Sequence, residues 1–296
     1  MGCRSPRYVV VLLWLAAVAL ASCGGGSLSG PSSATSRTFT VMTFNIQHGL
    51  DSAGRYRLQG AIDVIARLQP DLVGLQEVTR NHPFYNCEDQ PERLRSGVQQ
   101  ATGRSWSVVY EREWFTPDRT CLDRGVGNDV ETEGLAILAP ESLIGTQSLP
   151  LANTRLGLVA RTGIVPVPVV VTQLASGAAG IGDRAAQVSQ LLPWAAALGT
   201  PRILMGDMNA QPVTGELTPL AGEYRDAWAD AMAAGLARGV ITGDTRVRGG
   251  RIDYVFYAGG PAVELESAEI VDTTALLGVT SEVSDHRPVL VRFRLR

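Results

Sequence analysis

Residues 202–209 read Arg202-Ile203-Leu204-Met205-Gly206-Asp207-Met208-Asn209. The short apolar run Ile203 to Met205 has the look of a buried strand, and the glycine and polar residues after it mark its end. Asp207 and Asn209 stand at i and i+2, so they share one face if the extended backbone continues. The same construction recurs along the chain. Thr43-Phe44-Asn45-Ile46 puts an amide at the end of one apolar run, and Leu75-Gln76-Glu77-Val78 puts a carboxylate at the end of another. Arg251-Ile252-Asp253-Tyr254-Val255-Phe256 sets an acid inside a strand that is otherwise fit for burial. Ser284-Asp285-His286-Arg287-Pro288-Val289 is a polar turn that carries one of only three histidines and leads into the strand-like Val289 to Phe293.

Working outward, the pattern of Val, Ile and aromatics bounded by Gly, Pro or Asp predicts strands near 38–45, 72–76, 107–110, 135–138, 156–161, 164–174, 202–205, 252–257, 263–271 and 289–295. Helical spacing of Leu58, Ile62, Ile65 and Leu68, stopped by Pro70, predicts a helix over 58–68. Further helices are expected over 91–102, over 183–198 with Asp183 as N-cap and Pro193 as a kink or end, and near 223–233. Strands outnumber helices and lie in runs. The fold class expected is therefore α/β of the α+β type, two packed, mostly antiparallel or mixed sheets flanked by helices. There is no internal repeat.

Composition agrees with a globular chain: 45% of the residues are hydrophobic and 19% charged. All 26 basic residues are Arg, a bias that carries no mechanism. Arg4 and Arg7 precede one uncharged apolar run, Val9 to Ala21, which is short for a bilayer span and suits a signal peptide. The run ends in Leu20-Ala21-Ser22-Cys23, which resembles a bacterial lipoprotein box in which Cys23 is lipidated and becomes the mature N-terminus; an ordinary signal peptide with an incidental Cys is the alternative. The expected organisation is a signal peptide over 1–22, a lipidated Cys23 with a Gly/Ser tether over 23–37, and a catalytic-type domain over 38–296. The chain would then be exported, held on the extracytoplasmic face of the cell envelope by its lipid, and monomeric. Removing 1–22 takes away two Arg and no acid, so the formal charge moves from −3 to −5, against a basic nucleic-acid footprint. With Cys3 removed and Cys23 modified, Cys87 and Cys121 are left in an oxidising compartment, either as a disulfide or as two thiols.

The five segments TFNIQHG, LQEV, GDMN, RIDYVF and SDHRPV, in that order from Thr43 to Val289, resemble the endonuclease/exonuclease/phosphatase superfamily. The resemblance implies a four-layer sandwich of two sheets between helices and a metal-dependent hydrolysis of phosphoesters. It also implies roles. Glu77 is the principal ligand of Mg2+ or Mn2+, with Asn45, through its carbonyl, and Asp285 nearby, a hard oxygen set that suits these ions. His286 is the base, oriented by Asp253, while Asp207 and Asn209 position the water or the phosphate. Gln173 departs from the pattern: the strand Val169 to Thr172 should lead into a histidine. A glutamine can donate a hydrogen bond but has no proton to transfer near neutral pH. Relatives usually carry an asparagine in the segment Glu133 to Ile137, where this chain has Leu135.

The expected function is a phosphodiesterase, nuclease or lipid head-group phosphoesterase with reduced activity. A phosphate-binding relative on the cell envelope that does not turn its ligand over is the alternative, and a scaffold-only lipoprotein is a third. The substrate would be nucleic acid or a phospholipid or glycolipid head group. His48, in the loop just after Asn45, reads as a solvated loop histidine, with a place near the site and the missing acid role as the alternative, and His82 reads as a turn residue before Pro83. The alternating Arg292, Arg294 and Arg296 read as an exposed strand edge.

Overall fold

The computed structural model describes residues 1–2, 36–212 and 214–296. The expected signal run Val9 to Ala21 and the lipidation site Cys23 lie outside the described residues. Among the described residues no helix is long and apolar enough to cross a membrane.

The elements follow in chain order as β1 (Arg37–Asn45), α1 (Leu58–Leu68), β2 (Leu72–Arg80), α2 (Gln90–Thr102), β3 (Ser107–Pro117), α3 (Thr120–Asp123), β4 (Val130–Ala139), β5 (Ile144–Pro150), β6 (Leu156–Arg161) and β7 (Val169–Gln173). The second half comprises α4 (Ile181–Ala197), β8 (Arg202–Asp207), β9 (Arg225–Asp226), α5 (Ala227–Ala234), β10 (Ala237–Gly239), β11 (Asp253–Ala258), β12 (Val263–Ile270), α6 (Thr273–Leu277) and β13 (Val289–Leu295). They make two mixed sheets, one of seven strands in the order β10-β12-β13-β1-β2-β4-β3 and one of six in the order β5-β6-β7-β8-β11-β9.

Alternation along the strands builds the layers. Phe39 and Val41 of β1 face the second sheet and pack with Val169, Val171, Ile203, Met205 and Val255, whereas Met42 and Phe44 face outward onto Ile62 and Ile65 of α1 and Leu94 and Val98 of α2. On the far side Val170 and Leu204 pack under Val188 and Leu191 of α4. Central strands are thus buried on both faces, which is why their sequences are nearly continuous apolar runs. Each fully buried Leu, Ile, Val or Phe contributes about 1.5–3 kcal/mol by leaving water, so the sandwich is a rigid frame for whatever its rims carry.

Four expectations are corrected. Residues 164–168 are not strand, because Pro166 and Pro168 have no N–H to give a ladder; β7 starts at Val169. Helix α4 has Gly180, not Asp183, at its N-cap and continues through Pro193. Strand β5 was not foreseen, since it lies at the sheet edge with nearly every side chain exposed and shows no core-facing alternation. Arg292 and Arg294 lie on β13, a central strand between β12 and β1, with Arg296 just past its end, and the three pair with Glu264 and Glu266 of β12.

Candidate active site

Strand direction gathers the polar residues at one rim. Strands β1 and β2 are parallel with Asn45 opposite Gln76, and β7 and β8 are parallel with Gln173 opposite Asp207. Strand β11 runs antiparallel to β8 and sets Asp253 opposite Asp207. Asp285 and His286 arrive on the turn before β13, which is antiparallel to β1. Ser284 fixes that turn: its hydroxyl donates to the Asn45 carbonyl at 2.8 Å and accepts from the His286 N–H at 3.1 Å.

Local backbone departures aim the side chains. The register between β2 and β4 slips between Leu75 and Val78, and Glu77 in this bulge takes φ 56°. A left-handed conformation costs an ordinary residue about 1–2 kcal/mol, and bulges of this kind redirect side chains beside active sites. Gly206 has φ 148°, and a Cβ there would stand 1.9 Å from the Thr172 carbonyl oxygen, so only glycine lets β8 lie this close to β7. Asn209 is left-handed at φ 49°, as asparagine tolerates. Its N–H donates to Asp207 Oδ1 at 2.8 Å, and its amide donates to the Leu174 carbonyl at 2.9 Å and to Asp207 Oδ2 at 3.2 Å.

Three contacts join the two sheets across this rim. Asp253 holds both carboxylate oxygens 2.9 and 3.0 Å from His286 Nδ1, which leaves Nε2 as the outward nitrogen, 3.9 Å from Asp285 Oδ1. Asn45 Nδ2 donates to Glu77 Oε1 at 2.9 Å and to Asp207 Oδ2 at 3.2 Å. Gln173 Nε2 donates to the same Glu77 oxygen at 2.9 Å. The Asn45 side-chain Oδ1 accepts from the Gln47 N–H at 2.9 Å, and its amide donor turns toward the carboxylates. In this arrangement the Asn45 amide braces Glu77 and Asp207 against each other.

The electrostatics follow from burial and crowding of acids. Burial drives the Asp207 carboxyl up to about 7, with His286 opposing and Asp253 adding to the rise. Burial works against the charge of His286, but Asp253, Asp207 and Asp285 outweigh it and lift its pKa to about 10. Asp285 is raised, mainly by burial. The donor set suits a hard divalent cation. Glu77 and Asp285 are the partly open acids, with side chains 22% and 39% exposed, and no thiolate is near. Asp207, Asp253 and His286 also bring one ligand atom each within 4.8 Å of one another, but the Asp253–His286 hydrogen bond already engages two of the three. Glu77 and Asp285 are the more exposed acids of the rim, with oxygens of the kind a hard cation takes.

Several residues of the site escaped the sequence reading. Arg155, just before β6, donates through Nη1 to Gln173 Oε1 at 3.0 Å and to Glu113 Oε2 at 2.8 Å, so Gln173 is clamped between Arg155 and Glu77. The Glu113 side chain is wholly buried with Oε1 unpartnered, and burial raises its carboxyl to about 8 in spite of Arg155. His48 is not a solvated loop residue: Nε2 lies 3.3 Å from Glu77 Oε2, Nδ1 lies 3.4 Å from Glu133 Oε2, and the ring stacks on Tyr85 with centroids 5.2 Å apart. No periodicity or motif brings residues so far apart in sequence together; only the sheet order does. His82 caps the short turn Pro83–Tyr85 by accepting from the Phe84 N–H at 3.2 Å. Leu135 is fully buried between the sheets. Cys87 and Cys121 are joined in a disulfide that ties α3 to the segment carrying Tyr85.

The sequence model of the endonuclease/exonuclease/phosphatase family matches residues 42–286. Among curated proteins no match is found. Among solved structures, an endonuclease/exonuclease/phosphatase from Beutenbergia cavernae DSM 12333 is similar at 23% identity and TM-score 0.66, over 88% of this chain and 72% of that one. The human Nocturnin catalytic domain with bound sulfate anion is similar at 21% identity and TM-score 0.62, over 88% and 95%. Humanized D. rerio TDP2 follows at 16% identity and TM-score 0.60, over 86% and 98%. At these identities the likeness concerns the fold.

Proposed function

We propose, from the premise that this chain belongs to the endonuclease/exonuclease/phosphatase family of phosphoester hydrolases, that it is a phosphodiesterase using Mg2+ or Mn2+ held by Glu77 and Asp285. The observation that carries this reading is the Asp253–His286 pair at 2.9 Å, set beside Asp207 and linked to Glu77 through Asn45. When bound, the cation supplies positive charge that offsets the growing charge of the phosphoryl oxygens and opposes the carboxylates that keep His286 protonated. Asp253 fixes the imidazole so that Nε2 faces the reacting water and takes its proton. Asp207 and Asn209 orient that water or the phosphate, and Gln173 and Asn45 hold the Glu77 carboxylate in place. Nocturnin's bound sulfate is a tetrahedral oxyanion, as a phosphoester is.

Gln173 transfers no proton, and loss of an acid catalyst lowers rates by about 10²–10⁴. His48, whose Nε2 lies 3.3 Å from Glu77 Oε2, is one side chain at the rim that could take the acid role. The clamp of Gln173 between Arg155 and Glu77 favours one other reading, a relative that binds phosphate-bearing ligands without cutting them. We further propose that Cys23 is lipidated and holds the domain on the extracytoplasmic face, as a monomer, within reach of lipid head groups as well as nucleic acid. The test is an assay of the purified protein with Mg2+ or Mn2+ against bis(p-nitrophenyl) phosphate, plasmid DNA, phospholipids and phosphate monoesters. We expect weak metal-dependent turnover, abolished by Asp207→Ala and raised by Gln173→His. Turnover that survives Asp207→Ala, or its absence in both the natural protein and Gln173→His, defeats the enzyme reading.

A further inference from the structure

The two walls of the rim carry opposite charge. On one side Glu77, Glu133 and Glu131 surround His48 and His82. On the other, the loop from Thr242 to Arg251 carries Arg246, Arg248 and Arg251, and Arg287 donates to its Asp244 and Arg246 carbonyls. This loop is built stiffly against the reaction centre. Val247 N–H donates to the Asp285 carbonyl at 2.8 Å, Arg287 N–H donates to the Thr245 carbonyl at 2.6 Å, and Arg246 faces His286 across an isolated β-bridge. A turn closes it, with Arg246 N–H on the Gly250 carbonyl at 3.0 Å and Gly250 N–H on Asp244 Oδ1 at 2.6 Å.

Two of the four guanidinium groups have structural partners. Arg251 pairs with Asp226 at 2.6 Å and lies 4.6 Å over the Tyr254 ring, and Arg287 pairs with Glu282 at 2.7 Å. Arg246 and Arg248 are exposed, and among the described residues neither has an ion pair or a side-chain hydrogen bond. The one acid within the loop does not serve them: Asp244 is engaged by Gly250 N–H and by the Thr242 hydroxyl at 2.7 Å. A fixed loop that holds two exposed guanidinium groups one residue apart, neither in an ion pair among the described residues and with the Asp285 carboxylate across the turn from Arg246, favours an anion beside that turn. Guanidinium is suited to phosphate by its fork of donors.

We propose that Arg246 and Arg248 form a second anion subsite, which takes a phosphate group of the substrate adjacent to the ester that is cut. The inference rests on the phosphodiesterase reading and narrows it: preferred substrates carry two neighbouring phosphates. A polynucleotide and a phosphorylated inositol head group share that chemistry.

The test compares two matched pairs of soluble substrates. One pair is a dithymidine phosphate with and without a 5′-phosphate, and the other is glycerophosphoinositol with and without a ring phosphate. We expect the natural protein to favour the phosphorylated member of at least one pair by about tenfold or more in kcat/KM, a difference of about 1.4 kcal/mol. Arg246→Gln with Arg248→Gln should bring that ratio close to one, whereas the paired Lys variants should keep most of it. Arg67→Gln with Arg104→Gln, an equal change of charge at two other exposed arginines, should leave the ratio as it was. The pair that responds identifies the source of the phosphate. If no member of either pair is turned over, the phosphodiesterase reading is the one in difficulty, and calorimetric affinities for the same four compounds give the same ratios. Equal values within both pairs, or a preference that survives the double Gln variant, overturns the subsite.

Discussion

Replacement of Asp253 by Asn should remove most of the catalysis while sparing the fold and the metal site. Asp253 is 2% exposed and gives both oxygens to His286 Nδ1, at 2.9 and 3.0 Å. As a carboxylate it can only accept, so Nδ1 carries a proton and Nε2 is the nitrogen that exchanges one with the substrate side. An asparagine can present its N–H donor at the same place, in which case Nδ1 accepts, the proton moves to Nε2 and that nitrogen is blocked as a base. The largest of the carboxylate influences that raise His286 to about 10 is also lost. Disabling an orienting carboxylate of this kind lowers kcat by about 10⁴, and a general base as such contributes about 10²–10⁴. The expected loss for Asp253→Asn is therefore at least a hundredfold in kcat, with KM little changed. The assay is steady-state hydrolysis of bis(p-nitrophenyl) phosphate at saturating Mn2+, beside calorimetric Mn2+ binding and circular dichroism. A kcat within fivefold of the natural protein, with Mn2+ affinity intact, would refute the role given to the pair.

Two further outcomes test the frame around the site. Gly206→Ala should destabilise the protein by about 3 kcal/mol or more, because its Cβ would stand 1.9 Å from the Thr172 carbonyl oxygen; a urea midpoint unchanged from the natural protein would show that β7 and β8 separate more easily than the packing implies. Glu113, raised to about 8 from 4.5 by burial, holds its proton more tightly folded than unfolded. Its contribution to stability is then complete below about pH 4.5 and is lost as pH climbs through about 8, with a slope of up to about 1.4 kcal/mol per pH unit. Urea denaturation of Glu113→Gln between pH 5 and 9 should lack that component, and identical slopes for the two proteins would contradict the burial argument.

The sheets were legible because β7 and β8 are buried on both faces and are largely apolar, and because β13 alternates buried Val289, Val291 and Phe293 with more exposed residues, whereas α1 declares itself by Leu58, Ile62 and Ile65 at helical spacing. Strand β5 was illegible for the opposite reason: an exposed edge strand has no face that must be apolar. Within the candidate site, Glu77, Asp207, Asp253, Asp285 and His286 stood out as polar residues at the ends of apolar runs. Arg155 and Glu113 did not, since each is ordinary in its own segment and acquires meaning only from a partner tens of residues away, and His48, just after Asn45, was legible only as one of two readings. The direction of the Asn45 amide was likewise hidden, being set by the Gln47 N–H in a left-handed turn that composition does not announce.

The two sheets repeat one arrangement. In each, a central strand has a parallel neighbour on one side and an antiparallel one on the other: β1 with β2 and β13, and β8 with β7 and β11. Equivalent positions then meet face to face, Asn45 with Asp207, Glu77 with Gln173 and His286 with Asp253. The molecule is in this sense two half-sites, each supplying one member of every couple, and neither half holds a working set alone. The reaction centre can assemble only as the halves close on each other, so catalysis reports how well they mate. At Gly74, where an added Cβ would meet Val171 at 2.5 Å, a single methyl group far from the chemistry would be felt by all three couples at once.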